Sequence, residues 1–381
     1  MCWRDKDALN ERQRFVRLYE SRSFAMSELC RRFGVSRPTG YGWLSRYAAN
    51  GAEGLMERSR RPHHCPNRTP SEIESSIVNL REQHPQWGPV TVVGYLRQRD
   101  PHRAWPAPST AGAILKRHGL VRPRRKRRQV LHPGRPYLPM QTPNDTWAVD
   151  FKGEFKTRDG RYCYPLTITD GRSRFLLACR ARLGTAYELA RPVFEQTFRT
   201  YGLPRQILSD SGSPFGSSGL AGLSRLAVWW IKLGIQPVRI QPSHPEQNGR
   251  HERMHRTLAA TTRPPAANLS AQQRRFSRFT TEYNELRPHR ALDLRTPSQL
   301  YTPSPRPYPH HTPQVDYPAH FEVRKADIDG RITWRDRSLH IGRAFRRELI
   351  GLEPIAERRY NVFFGPLLLG VFHQDTWQIH G

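Results

Sequence analysis

Hydrophobic spacing divides the chain into a helical front, an alternating middle and a tail of short strands. Near the front, Phe15, Val16, Leu18 and Tyr19 recur at helical spacing, followed by Leu29, Phe33, Val35, Trp43 and Leu44. Gly34 predicts a tight turn between two helices, Ser36 caps the second, and Pro38 suits its first turn. Gly40 and Gly42 weaken that second helix by about 1 kcal/mol each. Ile73, Ile77, Val78 and Leu80 predict another helix, capped by Ser71. Val92, Tyr95 and Leu96, then Ile114 and Leu115, continue the helical pattern, with Trp87-Gly88-Pro89 as a break.

From Trp147 the period drops to two. Trp147, Val149 and Phe151 share one strand face, while Asp150 and Lys152 point the other way. Gly160 marks a hairpin turn, and Tyr162, Tyr164, Leu166 and Ile168 alternate along a second strand. Asp170-Gly171 turns the chain into a third strand from Arg174 to Arg180. Ala186, Leu189, Val193, Phe194 and Phe198 return to helical spacing, interrupted at Pro192. Gln206 to Asp210 is a short fourth strand, Leu220 to Leu233 a helix, and Gln236 to Ile240 a fifth strand. A helix then starts at Asn248-Gly249. This order predicts an α/β layer with a mixed five-stranded sheet. In the tail, six prolines between Thr302 and Pro318 predict a stiff extended linker. Six short strands follow, with Asp329-Gly330 as a hairpin signal, and predict a small SH3-like β-barrel.

Charge narrows the partners. Lys and Arg number 62 against 33 Asp and Glu, a formal net charge of +29 on 381 residues. So basic a chain calls for a polyanion, nucleic acid first. No apolar run approaches the roughly 20 residues of a spanning helix. Five scattered cysteines without a C-x-x-C pair suit a reducing cytosol. The Met26–Leu44 layout then resembles a helix-turn-helix, with Arg37, Thr39, Tyr41 and Arg46 on its reading helix as candidate DNA contacts. Residues 61–121 look like a second such module. Arg122, Arg124, Arg125, Lys126, Arg127 and Arg128 crowd into seven residues suited to phosphate contacts.

Three acids carry the candidate chemistry. Asp150 lies in the first strand, Asp210 at the end of the fourth, and Glu252 in the first turn of a later helix. If the first and fourth strands are neighbours, the three converge into a hard-oxygen site for two Mg²⁺ or Mn²⁺ ions. Phosphodiester chemistry needs that arrangement. Asn248, Arg250, His251, Arg253 and Arg256 surround Glu252 and are candidate DNA contacts, as is His255 for phosphate or base. A solvated helix with a Glu252–Arg256 pair is the plainer reading of this stretch. Glu246 is a rival third acid, 35 intervening residues after Asp210 where Glu252 lies 41 after. Asp159 and Asp170 sit beside glycines as turn residues.

Several segments together resemble the integrase-core transposases of bacterial insertion sequences, relatives of retroviral integrases with an RNase H-like fold. They are Trp147 to Phe151, Tyr201-Gly202-Leu203-Pro204, Ser209 to Phe215, Asn248 to Arg253, Tyr283-Asn284 and Arg287-Pro288-His289. The resemblance maps the family's three acids onto Asp150, Asp210 and Glu252, as catalytic residues and metal ligands. The family usually has Asn after the second acid, where this chain has Ser211. The resemblance implies a bacterial cytoplasmic enzyme that binds terminal inverted repeats, cleaves and joins DNA, and works as a dimer or larger synaptic assembly. A repressor with an inactive core and a stand-alone RNase H-type nuclease are the alternatives. The implied domains are 1–60, 61–121, a basic linker 122–144, a core 145–300, a linker 301–319 and a barrel 320–381.

Overall fold

The computed structural model describes residues 5–57, 68–121, 138, 140–241 and 245–380. The basic run Arg122–Arg128 lies outside them. Residues 1–68 and 69–381 form two compact units.

In the first unit, α1 (Asp5–Glu20), α2 (Met26–Phe33) and α3 (Arg37–Asn50) close on a core of Phe15, Val16, Leu29, Cys30, Trp43 and Leu55. Gly34 ends α2 in the left-handed region, and the Ser36 hydroxyl accepts from the Thr39 N–H at 3.3 Å, as the turn and cap residues predict. Gly40 repays its helix penalty. A Cβ there would stand 2.9 Å from the Phe15 ring and 3.1 Å from Cys30 Sγ, so glycine lets α3 settle onto the other two helices.

The second unit begins with α4 (Ser71–Gln83), α5 (Pro89–Arg99) and α6 (Pro108–Arg117), packed around the fully buried Trp87. The α/β layer follows: β1 (Thr146–Phe151), β2 (Phe155–Lys156), β3 (Tyr162–Asp170), β4 (Leu176–Arg182), α7 (Tyr187–Tyr201), β5 (Gln206–Ser209), α8 (Arg225–Lys232), β6 (Gln236–Arg239), α9 (Gly249–Leu258) and α10 (Leu269–Thr281). Its five main strands run β4-β3-β1-β5-β6, and the two-residue β2 pairs with the start of β3. β1, β3 and β4 pair antiparallel, whereas β1, β5 and β6 run parallel. Alternation put Trp147 and Val149 on the face that packs against Phe194, Phe198 and Trp230 of α7 and α8. α7 continues through Pro192 without ending there.

The outer edge of β4 is satisfied by side-chain amides. Gln273 of α10 accepts from Ala181 N–H and donates to Cys179 O, and Asn284 does the same with both backbone groups of Leu176. An unpaired edge is thereby covered. Just past α10, Glu282 accepts from Trp87 Nε1 at 2.8 Å and meets His84 at 2.9 Å. This bonds the α4–α6 module directly to the core.

The proline-rich segment is a strap rather than a spacer. Arg306 donates to the carbonyls of Pro204, Leu233 and Gly234, and Tyr308 lies against Phe198 and Trp229. The tail forms β7 (Glu322–Lys325), β8 (Arg331–Trp334), β9 (Arg337–His340), β10 (Leu349–Ala356), β11 (Arg359–Phe364), β12 (Leu367–His373) and β13 (Gln378–His380). The expected barrel is not closed. Among the described residues the order is an open antiparallel sheet β13-β12-β11-β10-β7 beside a separate β8–β9 ribbon. The cause is packing: Trp334, Phe345, Ile350 and Phe364 join the same hydrophobic cluster as Trp147 and Trp230, so the sheet buries its apolar face on the core instead of on itself. The ladder of the β8–β9 hairpin turns at Arg335-Asp336, both at positive φ, and not at Asp329-Gly330, which links β7 to β8.

Candidate active site

The sheet sets two of the three acids side by side. In the parallel pair β1–β5, Ala148 lies opposite Leu208, and Asp150 and Asp210 each follow two residues later. Both therefore sit toward the carboxyl ends of neighbouring parallel strands, where open α/β sheets place their ligands. Their surroundings differ. Asp150 is held in the ladder opposite Thr167, and its side chain is 24% exposed. Asp210 lies just beyond β5, exposed, with Oδ1 accepting from the Gly212 N–H at 3.1 Å.

The third acid arrives on α9, which is fastened across the sheet by hydroxyl–imidazole contacts. Thr167 and Thr169 project from one face of β3. Thr169 Oγ1 lies 2.7 Å from His251 Nδ1, and Thr167 Oγ1 lies 2.7 Å from His251 Nε2 and 2.8 Å from His255 Nε2. Thr167 also donates to the Asp150 carbonyl at 3.0 Å. The sheet residue opposite Asp150 thus fixes the helix that carries Glu252. Met254 and Leu258 anchor the same helix against Phe276 and Tyr283.

Electrostatics record the approach of the acids. The Asp150 carboxyl is pushed up to about 7, first by burial and then by the negative charges of Asp210 and Glu252. Burial holds His251 well below its ordinary value, and burial with the Lys152 charge pushes His255 down to about 3, so both rings are neutral. Among the described residues, no three His, Cys, Asp or Glu side chains stand close enough to hold one ion. Carboxylate oxygens are the donors a hard divalent cation takes, and a positive charge would relieve the repulsion that Asp150 feels from Asp210 and Glu252.

The other candidates divide. Arg253 and Arg256 are exposed on α9. His251, expected among the DNA contacts, is 1% exposed with both nitrogens on threonines, which leaves it none for a phosphate. Asn248 is buried, with Oδ1 lacking a hydrogen-bond partner. Arg250 donates to Gly171 O at 2.8 Å and touches Met140 Sδ, so its head serves the fold. In the first unit Arg37, Thr39 and Tyr41 are exposed on α3, whereas Arg46 is tied to the Met56 carbonyl. The side chain of Glu246 lies outside the described residues. Thr167 and Thr169 were missed because nothing in a Thr-Ile-Thr strand announces a helix bonded across it.

Comparisons with protein families match several parts of the chain. The Integrase core domain matches residues 141–245 and again 233–297. A Helix-turn-helix domain matches 11–63, a Homeodomain-like domain 39–115, and the IS481 family transposase C-terminal domain 321–374. The chain is similar to insertion-sequence proteins and carries matches to an integrase core and to an IS481 family transposase C-terminal domain. An uncharacterized 39.2 kDa protein of insertion element IS476 from Xanthomonas euvesicatoria is 25% identical over 254 residues, covering 62% of this chain and 67% of that protein. The Gag-Pol polyprotein of baboon endogenous virus is 34% identical over 119 residues, 31% of this chain. The chain spans only 6% of that polyprotein's length. A structure of the HTLV-2 integrase catalytic core domain in complex with magnesium aligns over 43% of this chain and all of that one, at 15% identity and a TM-score of 0.33. No helix among the described residues is long and apolar enough to cross a membrane.

Proposed function

We propose that this chain is a transposase that cleaves DNA at the ends of its element and joins the freed ends to a target. Asp150, Asp210 and Glu252 would hold two Mg²⁺ or Mn²⁺ ions, which supply activation of the attacking oxygen and stabilisation of the departing one. The observation that carries the reading is the Asp150 carboxyl, raised by burial and by both other acids together. Clustering of like charges in a half-buried place is costly unless a cation answers it.

The protein's own share is binding and orientation. Arg37, Thr39 and Tyr41, exposed on α3, would read a terminal repeat. Arg253 and Arg256, exposed on the helix that carries Glu252, would hold the phosphate backbone beside the acids. Water attacks one phosphodiester and releases a 3′-hydroxyl. That hydroxyl attacks a second phosphodiester in line, and the bond energy is conserved without nucleotide hydrolysis. Concerted joining of two ends calls for a dimer or larger assembly on the DNA.

The test is a labelled terminal-repeat duplex incubated with Mg²⁺ and a target duplex. Cleavage and joined product are expected, both lost on chelation and in Asp150→Asn, with repeat binding retained. Cleavage without joining would identify a nuclease, and binding without either a repressor. Joining that survives in Asp150→Asn would remove Asp150 from the chemistry.

A further inference from the structure

Trp87 is fully buried in the core of the α4–α6 module, among Ile77, Leu80, Val92 and Ile114. A buried indole N–H needs a partner. The partner of Trp87 Nε1 lies outside the module: it is Glu282 Oε1, at 2.8 Å. The same oxygen meets His84 Nδ1 at 2.9 Å. The His84 and Trp87 rings are stacked, with centroids 4.0 Å apart and planes 14° from parallel. A carboxylate oxygen only accepts, so the stack gives it two N–H donors side by side.

Glu282 opens a π-helical turn, Glu282–Leu286, directly after α10. Such turns are rare in proteins and frequent at functional sites. Tyr283 packs with Met254 and Leu258 of α9, and Asn284 bonds both backbone groups of Leu176. Three consecutive residues therefore hold the module, the helix of Glu252 and the sheet edge. A second tie stands at the far end of α5. Gln98 Nε2 donates to Leu294 O at 2.5 Å. Leu294, at a φ of 65°, lies against Gly94, where a Cβ would meet both of its methyl carbons at 3.3 Å. The ties bracket a helix roughly 16 Å long at about 1.5 Å per residue, so neither can act as a hinge. Ser109, Thr110, Ala113 and Lys116 are exposed on α6. In homeodomains the third helix of such a module is the one that enters the DNA groove.

We propose that Glu282 is a positioning residue that sets the register between DNA gripped by α6 and the three acids. Its carboxylate locks the module to the turn that seats α9, and so decides which phosphodiester reaches Asp150, Asp210 and Glu252. The inference rests on the strand-transfer reading and adds to it a determinant of where the cut falls. Glu282 touches neither DNA nor the reacting atoms. It acts through Trp87, His84 and Tyr283.

The experiment uses the full chain, Mg²⁺ and an end-labelled terminal-repeat duplex, with cut positions read to the nucleotide. The native chain is expected to cut at one phosphodiester. In Glu282→Ala and in Trp87→Phe, cutting there should fall about tenfold to a hundredfold and spread to neighbouring bonds, with repeat binding retained. Glu282→Gln keeps an acceptor oxygen for Trp87 and should restore the single position. Phenylalanine keeps a ring in the module core, so Trp87→Phe serves if Glu282→Ala melts too early to assay. Pulsed electron resonance supplies a readout without cutting. Spin labels at Ala113→Cys on α6 and Ser277→Cys on α10, with Cys2→Ser and Cys65→Ser, should give one narrow distance in the native and Glu282→Gln chains and a broad one in Glu282→Ala. A cut site that stays fixed in both Glu282→Ala and Trp87→Phe overturns the assignment, as does a narrow distance that survives Glu282→Ala. A native chain that binds the repeat but cuts nothing removes the strand-transfer reading. The label distances then decide the lock alone: broadening in Glu282→Ala keeps it, and an unchanged distance ends it.

Discussion

Asp150 and Asp210 occupy matching positions on neighbouring strands, yet one is built in and the other is open. Asp150 belongs to a ladder, faces a threonine that bonds its carbonyl, and lies under a helix fixed by two histidines. Asp210 is exposed at the mouth of a serine- and glycine-rich loop, with its carboxylate turned to Gly212. The difference shows how such a site is divided. One half is rigid and carries electrostatic strain, and the other is free to answer a cation or a DNA strand.

The largest blow to that contrast is Thr167→Val. It removes three contacts at once and leaves two buried imidazole nitrogens without a partner. A loss of about 2–4 kcal/mol in denaturant unfolding is expected, whereas Thr169→Val, with one contact, costs less. Equal effects would mean that α9 is held by its apolar anchors alone. Next comes Asp150→Asn. The folded carboxyl titrates near 7, above its unfolded value, so the native state binds the extra proton and stability falls as pH rises from about 4 to about 7. A neutral amide removes that slope. At pH 8 without metal, Asp150→Asn should be more stable than the native chain by about 2 kcal/mol, while exposed Asp210→Asn stays within about 0.5 kcal/mol. A destabilised Asp150→Asn would contradict the strain.

A smaller effect lies away from the acids. His289 is pushed down to about 4 by burial and the nearby Arg287 charge, with its ring edge-on to Tyr283. Its folded value lies below the unfolded one, so its share of stability is present above about 6.5 and is lost as pH falls toward 4. Melting temperature should drop over that window, and His289→Gln should flatten part of the drop. An unchanged slope would assign the acid sensitivity to other groups.

Much of this was legible in residue spacing. Period-two alternation at Trp147, Val149 and Phe151 placed the first strand, and the element order predicted the mixed sheet; that Asp150 stands beside Asp210 depended on the first and fourth strands being neighbours, which the β1–β5 pairing supplies. Local grammar also served at Gly34 and Ser36. What escaped depends on long-range register. His251 reads as polar and is buried because Thr167 and Thr169 happen to face it. The proline-rich strap reads as a spacer because its hold comes from Arg306 meeting three carbonyls far off in sequence. The tail strands were each recognisable, but alternation does not say whether a sheet curls onto itself or lies on a neighbour, and here the core offered the larger apolar face.

The convergence of the acids is tested most directly by the titration of Asp150 itself. Carbon-13 NMR of aspartate-labelled protein, assigned through Asp150→Asn, follows that carboxyl with and without Mg²⁺. The account predicts a metal-free midpoint near 7, a lower one in Asp210→Asn and in Glu252→Gln, and a fall toward the ordinary carboxylate range when Mg²⁺ is added. A metal-free midpoint near 4, indifferent to both substitutions and to Mg²⁺, would contradict it.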